Sequence, residues 1–585
     1  MLKLAKYLKP YFLQCILLAF ATATQTWFTL LLPSEMAKIV NNGIVENNIA
    51  FIYESGLRML VFVLVSSLCA IASGYLSAYI GSRFSRDLRA DIYAKVLNFS
   101  IADNDKFSTA SLITRTTNDV NQVQQTYSMI LSMFLRAPMM AIVALIQAFA
   151  TAQDMTWIIA LAVAIILISA ISIISFAIPK FKIFQKLFDK ITLITRENLT
   201  GIRVIRAFNN QKIERKKFSQ TNIELTGILT WMSKVTGLVT PIITFVFDGI
   251  CLLCIWIGLK NYEFDANYLG NMMAFMQYAI QVVMSFMILT LFFVSIPRAN
   301  VSAGRIKEVL NTHSKIIWPK KTKTEPSKTP SVIFKDVDFR YGEAEDNVLN
   351  DVSFEAKVGE TTAIIGSTGS GKSTIANLIL RFYDATNGKV LINGVNVKDF
   401  SKKDLMKKIG YVPQRGILFS GTIESNIKFS NPNITDEKME KASKISQSKE
   451  FVEKNPEKYN LKISQRGTNV SGGQKQRLSI ARAIAKNPEI YIFDDSFSAL
   501  DMKTDKKLRE ELKEIVKESV TIIIAQRINT IKDADQIIVL DKGRIVGKGN
   551  HHSLLRTCKI YNEIVKSQLS EAEFEKELLN AREEK

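Results

Sequence analysis

The chain has 585 residues, 47% of them hydrophobic, and a formal net charge of +20 at neutral pH. Its length allows about three to five ordinary domains, and so apolar yet so basic a composition excludes a single soluble globule. Five cysteines without framework spacing exclude a disulfide-stapled fold; Cys15, Cys69, Cys251 and Cys254 lie in apolar runs, where a thiol packs as a small hydrophobe.

In chain order, the first ten residues are short, basic and aromatic. They predict an interfacial helix on the cytoplasmic face, and the missing apolar h-region predicts no signal peptide and no extra domain before the first span. Six apolar segments follow, each long enough for the roughly 20 residues a bilayer requires. Their limits are 11–33, 57–81, 128–150, 155–179, 236–260 and 269–297. Segments three and four are joined by a few residues, and five and six by a short loop holding Glu263 and Asp265. The two long connections are basic; the second carries Lys180, Lys182, Lys186, Lys190, Arg203 and Arg206. The positive-inside rule puts both connections, and both termini, in the cytoplasm. Their helical patterning predicts helices running far beyond the bilayer, with tips near 103–109 and 198–208 placed to touch a cytoplasmic domain. Membrane lipid is thus an expected partner. Nucleic acid is not, because the basic residues track the inside loops and no stacking motif accompanies them.

Two ionisable residues stand inside apolar runs. Arg136 is placed to snorkel towards the interface. Asp248 lies near mid-membrane, where a carboxylate is costly. It has two readings, a structural hydrogen-bonding role or a place on the substrate path.

After Arg298 the pattern turns polar. The expected division is 1–315 for a transmembrane domain, 316–330 for a Pro/Lys/Thr linker, 331–568 for a nucleotide-binding domain and 569–585 for a charged tail. The second domain opens on an alternating strand that runs to Tyr341, an aromatic able to stack on a base. Gly366, Ser367, Thr368, Gly369, Ser370, Gly371, Lys372, Ser373 and Thr374 then fit G-x-x-x-x-G-K-[ST] between a buried strand and a helix start. Glycines let the backbone wrap phosphates, helix amides point at the charge, Lys372 reaches the β/γ-phosphates and Ser373 ligates Mg²⁺. Gln414 follows a short strand. Ser471, Gly472, Gly473 and Gln474 open a second helix, a second anion-binding corner. The strand 490–493 ends in Asp494 and Asp495, where Mg²⁺ is held in such enzymes, and the strand 521–525 ends in Gln526. The fold class expected is an α-helical membrane domain, six transmembrane helices with long cytoplasmic extensions, followed by an α/β P-loop domain.

With VSGGQ followed by KQRLSIARA, the whole order resembles the ATP-binding cassette exporters. The resemblance covers nearly the whole chain and implies ATP and Mg²⁺ as cofactors. It implies that Tyr341 stacks on adenine, that Gln414 senses Mg²⁺ and couples to the membrane half, and that Asp494 holds Mg²⁺ through water. It also implies that Ser471, Gly472 and Gly473 close over the ATP of an opposite cassette, and that the two loop tips are coupling helices. Three positions depart from the family: Asp495 replaces the glutamate base, Gln526 replaces the switch histidine, and Gln465 stands where glutamate is frequent. The remaining histidines, His313, His551 and His552, are not near enough in sequence to substitute. Asp495 and Gln526 are thus degenerate catalytic positions. Beside an intact signature they predict a heterodimer, in which a second subunit supplies Glu and His, similar to bacterial heterodimeric multidrug exporters. The expected activity is ATP-driven export of small lipophilic compounds or drugs across a bacterial plasma membrane by alternating access. The alternatives are a homodimeric lipid or peptide exporter and a poorly hydrolysing regulatory or channel-like membrane protein.

Overall fold

A computed structural model of the chain describes residues 1–262, 268–323, 329–342 and 344–583. Glu263 and Asp265 of the expected acidic loop lie outside the described residues, as do 324–328 of the linker and the last two residues of the tail. The chain divides into two compact units, one of Met1–Leu97 with Thr109–Thr312 and one of Asn98–Ser108 with His313–Lys585.

The first unit is helical, and among its described residues six helical stretches are long and apolar enough to cross a membrane. The helix Ile49–Leu97 shows how one helix serves two solvents. Its 49 residues reach about 70 Å at 1.5 Å per residue, more than twice the roughly 30 Å hydrocarbon layer. Over the first half, Leu57, Leu60, Leu64, Leu68 and Ile71 are exposed, an apolar stripe suited to lipid. Over the second half, Ile80, Phe84, Leu88 and Ile92 recur at helical spacing and are fully buried. That second half is an ordinary amphipathic helix, which is what the sequence predicts for a cytoplasmic extension.

The N-terminal turn Leu2–Tyr11 is pinned to this extension: the Tyr7 and Tyr11 hydroxyls donate to Asp91 and Asp87, each at 2.6 Å. The first and sixth spans are closed against each other by polar contacts in an otherwise apolar core. Tyr278 donates to the Leu30 carbonyl at 3.1 Å, and Asn41 accepts from the Gly270 amide at 3.0 Å while donating to Asn271 at 3.2 Å. Position 270 admits only glycine, because a Cβ would lie 2.3 Å from the Asn41 Oδ1 and 2.5 Å from the Ala37 carbonyl. Arg136 is half-buried with its Nε shielded from solvent. Asp248 lies on the exposed side of the helix Val239–Tyr262, flanked by exposed Phe245 and Leu252.

The second unit is built on a six-stranded sheet in the order 544–549, 536–541, 361–366, 520–524, 490–494, 409–412. All neighbours are parallel except the outermost pair, 536–541 with 544–549. The central strands are buried on both faces, which explains runs such as Ala363-Ile364-Ile365 and Ile522-Ile523-Ile524 without alternation. A four-stranded antiparallel sheet, 349–357, 331–339, 387–392, 395–396, packs its Phe334, Phe354 and Val390 into one of the two cores flanking the large sheet. The first strand ends at Phe339, two residues before Tyr341.

The short helix Ile101–Phe107 belongs to this unit although it comes from the connection between the second and third spans. It is capped by Ser100 and Asp103 reciprocally, and Phe107 is buried. Burial acts to raise the Asp103 carboxyl, but hydrogen bonds from Ser100, Ser314 and Lys315 outweigh it and hold the group below its ordinary value. Asp105 accepts from the Tyr383 hydroxyl at 3.4 Å, and burial with that acidic neighbour pushes the phenol up to about 12. The other tip, the helix Ile202–Ala207, buries none of its residues in the first unit, and Leu199, Val204 and Phe208 around it are exposed.

Candidate functional site

The site is assembled by strand register. Ile364, Ile524 and Asp494 stand side by side in adjacent parallel strands, with Phe493 beside Val412. The loops leaving these carboxyl ends therefore carry Gly366, Gln526, Asp495 and Gln414 to one edge, where open α/β sheets bind ligands.

Two glycines shape the phosphate loop. A Cβ at Gly366 would lie 2.1 Å from the Leu540 carbonyl, and Gly371 takes φ +96° where a side chain would strike Leu349 at 2.6 Å. Between them Ser367, Thr368 and Gly369 form an exposed crest, while Ser370 is buried with its hydroxyl unpartnered. The helix Lys372–Ile379 begins immediately after; the Thr374 amide bonds the Gly371 carbonyl at 3.1 Å, while the Lys372 and Ser373 amides precede the first intrahelical bond. The Lys372 ammonium donates to the Gly366 and Ser367 carbonyls at 2.9 and 2.7 Å. Burial pulls its pKa down, opposed by the Asp495 and Asp494 charges. A buried cation, free helix amides and an exposed crest fit a triphosphate.

The acidic side is equally ordered. The Ser373 hydroxyl donates to Asp494 Oδ1 at 2.9 Å, so the two oxygens expected on Mg²⁺ already face each other. Burial pushes the Asp494 carboxyl up, and Ser373 and Tyr411 hydrogen bonds counter the burial and the Asp495 charge. A hydroxyl and a single carboxylate are the kind of sparse protein ligand set that Mg²⁺ takes when phosphate and water complete its shell. Gln414 and Gln526 both donate to Asp495 Oδ2, at 3.0 and 3.3 Å. Asp495 itself takes φ +46°, a backbone conformation that Asp tolerates better than most residues. Its amide is held by the Ile524 carbonyl at 2.8 Å.

Tyr341 is tied to the same helix. Its hydroxyl pairs with Thr374 at 3.0 Å, and its ring meets Phe339 and Tyr383 edge-on. The signature residues lie apart from this cluster. Ser471 caps the helix Gly472–Ala485 in a reciprocal box with Gln474, and Ser471 and Gly472 are exposed. The helix start thus lies at the surface, with the Ser471 amide donating to Gln474 Oε1 at 2.9 Å. Gln465 opens the turn 465–467, in which it and Arg466 are exposed and Gly467 is buried. His551 is buried against Tyr561, with its Nδ1 2.7 Å from the phenol and its Nε2 3.6 Å from Glu577. Sequence reasoning passed over Tyr411, which touches Asp494; its only signal was a position three residues before Gln414. It also passed over Gln568, which bonds the backbone of the switch loop at residues 526 and 528.

Phosphate loop, carboxylate strand end and outward signature, joined to six membrane-length helices, define an ATP-binding membrane transporter. The comparisons with known proteins agree. Residues 15–286 match the ABC transporter transmembrane region, and residues 349–498 match the ABC transporter family model. The chain is 36% identical over 569 residues to an uncharacterised ABC transporter ATP-binding protein of Mycobacterium tuberculosis, covering 97% of each. A Bacillus subtilis ABC transporter ATP-binding protein is 33% identical over 569 residues, with 97% of this chain and 98% of that one covered. A putative export ATP-binding/permease protein of Rickettsia felis is 31% identical over 592 residues, with 97% and 99% covered. A bacterial Atm1-family ABC exporter, solved with ATP bound, shares the fold with a TM-score of 0.78 at 22% identity, over 97% of this chain and 99% of that one. The chain belongs to the ABC transporter family: it is a bacterial multi-pass membrane protein with an ATP-driven transporter fold resembling known exporters.

One expectation is corrected by this comparison. The heterodimer, with a second subunit supplying Glu and His, does not stand against the comparison with the Atm1-family exporter, which shares the fold over 97% of this chain. The physical reason is that one chain carries both halves of a sandwich site. Its phosphate loop and its outward signature can each meet the other's counterpart in a two-fold copy, so no different subunit is needed.

Proposed function

We propose that the chain works as a pair of identical copies that exports a lipid-like or other lipophilic compound by alternating access, with both termini in the cytoplasm. In this reading each ATP lies between the Walker residues of one copy and Ser471, Gly472 and Gly473 of the other. Lys372 and the helix amides hold the phosphates, Ser373 and Asp494 hold Mg²⁺, and Tyr341 packs on the base. Gln414 and Gln526 orient Asp495, whose free Oδ1 is the base for the attacking water. Aspartate is one methylene shorter than the usual glutamate, so turnover is slow but not absent.

The observation that carries this reading is the convergence of both amides on Asp495 Oδ2, an arrangement that orients a base rather than dismantling a site. The exposed tip around Val204 and Phe208 supports a second copy, since apolar residues at the end of a cytoplasmic extension call for a cover. The Ile101–Phe107 helix, which belongs to the cassette unit, is proposed as the element that passes cassette movement to the spans.

The test is steady-state Mg-ATPase of this chain alone, purified in lipid, with oligomeric state and ATP binding measured in parallel. A dimer with measurable turnover that rises with added lipophilic substrate supports the proposal. A chain that binds ATP without any turnover overturns it.

A further inference from the structure

The switch residue Gln526 lies two residues beyond the end of the strand Val520–Ile524, and its amide has the Asp495 carboxylate as its partner. Gln526 is exposed, and its 3.3 Å contact to Asp495 is longer than the 3.0 Å contact from Gln414. A small rotation of the loop would break it. What holds the loop comes from the far end of the chain. Gln568, the last residue of the helix Lys559–Gln568, grips the switch backbone with both ends of its amide. Its Nε2 donates to the Gln526 carbonyl at 2.7 Å, and its Oε1 accepts from the Ile528 amide at 2.9 Å. The two contacts bracket residue 527 and fix the peptide planes on either side of it.

The stem of this clamp is rigid. Tyr561 and Val565 on the same helix are fully buried, and the Tyr561 hydroxyl lies 2.7 Å from His551 Nδ1. The following helix, Glu571–Glu583, adds a tie on each side through Glu577, which faces His551 at 3.6 Å and Lys532 at 3.9 Å. Lys532 directly follows the short helix Ile528–Ile531 that continues the switch loop. An unbroken run of contacts therefore leads from the C-terminal helices through Gln568 and the switch backbone to the Asp495 carboxylate. The same region opens on a cavity of about 1020 Å³, lined by Asp495, Gln526 and Gln568 among others, so the clamp stands at the wall of the space next to the base.

We infer that Gln568 is a positioning residue for ATP hydrolysis: its amide sets the switch loop so that Gln526 reaches Asp495. The need is sharper here than with an imidazole at 526. A glutamine has more rotatable bonds than a histidine, so its reach depends more on where the backbone is held. The inference rests on the roles proposed above for Asp495 and Gln526.

The test uses the full chain in lipid with Gln568→Ala, Gln568→Glu, Gln526→Ala and the double variant Gln526→Ala/Gln568→Ala. If the clamp acts through Gln526, Q568A lowers kcat about ten- to a hundredfold, the scale of an ångström misplacement, with KM for ATP within about twofold. Added to Q526A, it then costs nothing further, the signature of a fully coupled pair. Q568E keeps the acceptor for Ile528 and loses the donor to Gln526, so it falls between wild type and Q568A. Amide exchange at Ile528 quickens in Q568A but not in Q568E. An equal loss from Q568A with and without Gln526 would mean a general structural effect and overturn the inference. Unchanged exchange at Ile528 would overturn it as well, even in a chain that proved to have no turnover. Absent turnover with exchange quickened as expected would instead count against Asp495 as base.

Discussion

Substituting Asp495 by glutamate restores the missing methylene and bears most directly on the site. Both amide donors converge on Oδ2, which leaves Oδ1 as the oxygen that takes the proton. One methylene moves that oxygen by about 1 to 1.5 Å, and a misplacement of that size costs on the order of a hundredfold in rate. A hundredfold corresponds to about 2.7 kcal/mol of barrier. The backbone at 495, with φ +46°, suits Asp better than Glu by about 1 kcal/mol. That strain is present in ground and transition state alike, so it lowers stability and leaves kcat untouched. D495E is thus expected to raise kcat by about ten- to a hundredfold and to lower the melting temperature by a few degrees. The assay is steady-state Mg-ATPase in lipid with ATP affinity measured beside it, and D495N as the control without a base. An unchanged or lower rate in D495E, with binding intact, would mean that Asp495 already reaches the water and that the shortfall argument fails.

Three further outcomes are expected. Ser373→Ala removes the hydroxyl 2.9 Å from Asp494 and should raise the Mg²⁺ concentration needed for half-maximal ATPase about tenfold or more, read by titrating Mg²⁺ at fixed ATP. Asp494 carries a pKa raised chiefly by burial, so the nucleotide-free fold binds its proton more readily than the unfolded chain does. Its contribution therefore opposes folding at neutral pH, and the opposition is relieved as pH falls through the raised value towards the ordinary carboxylate range. D494N should raise the nucleotide-free melting temperature at neutral pH, flatten its acid-side dependence and lose Mg²⁺-dependent turnover; an unaltered melting profile would refute the sign. Asp248→Asn, on the exposed side of the fifth span, should reduce transport of cationic lipophiles several-fold relative to neutral ones while leaving basal ATPase unchanged. Equal loss for both classes would return Asp248 to a structural role.

The parts of the site that work through backbone geometry at fixed spacing were legible in the sequence. Gly366 to Thr374 reads as a phosphate loop because the loop must approach phosphate and the lysine must follow the last glycine; the strand falls within a residue of its apolar run, and the helix starts at Lys372, before its apolar run begins. The six spans were legible for a similar reason: bilayer thickness dictates their length. What depends on contact between distant segments was not. Nothing in the run IVKSQ marks Gln568 as a clamp on a loop 40 residues upstream, and a tyrosine three residues before Gln414 gives no sign of bonding Asp494. The segment 98–108 reads as part of the membrane half, yet Phe107 and Asp103 pack with the cassette. The heterodimer inference failed for another physical reason. A phosphate loop and an exposed signature on one chain already make both halves of a sandwich site, which residue identity at 495 and 526 does not reveal.

The seam between the first and sixth spans has a consequence for how the protein is made. The Leu30 carbonyl receives the Tyr278 hydroxyl from a residue 248 positions later, and Asn41 waits 229 positions for Gly270. At about 5 to 20 residues per second of synthesis, the first span spends roughly 10 to 50 s in the bilayer before its partner emerges. During that interval Asn41 must be kept near the interface or shielded by the insertion machinery. A slowed ribosome between the second and fifth spans would lengthen the exposure, so the nascent chain is most open to quality control well before its ATP site exists.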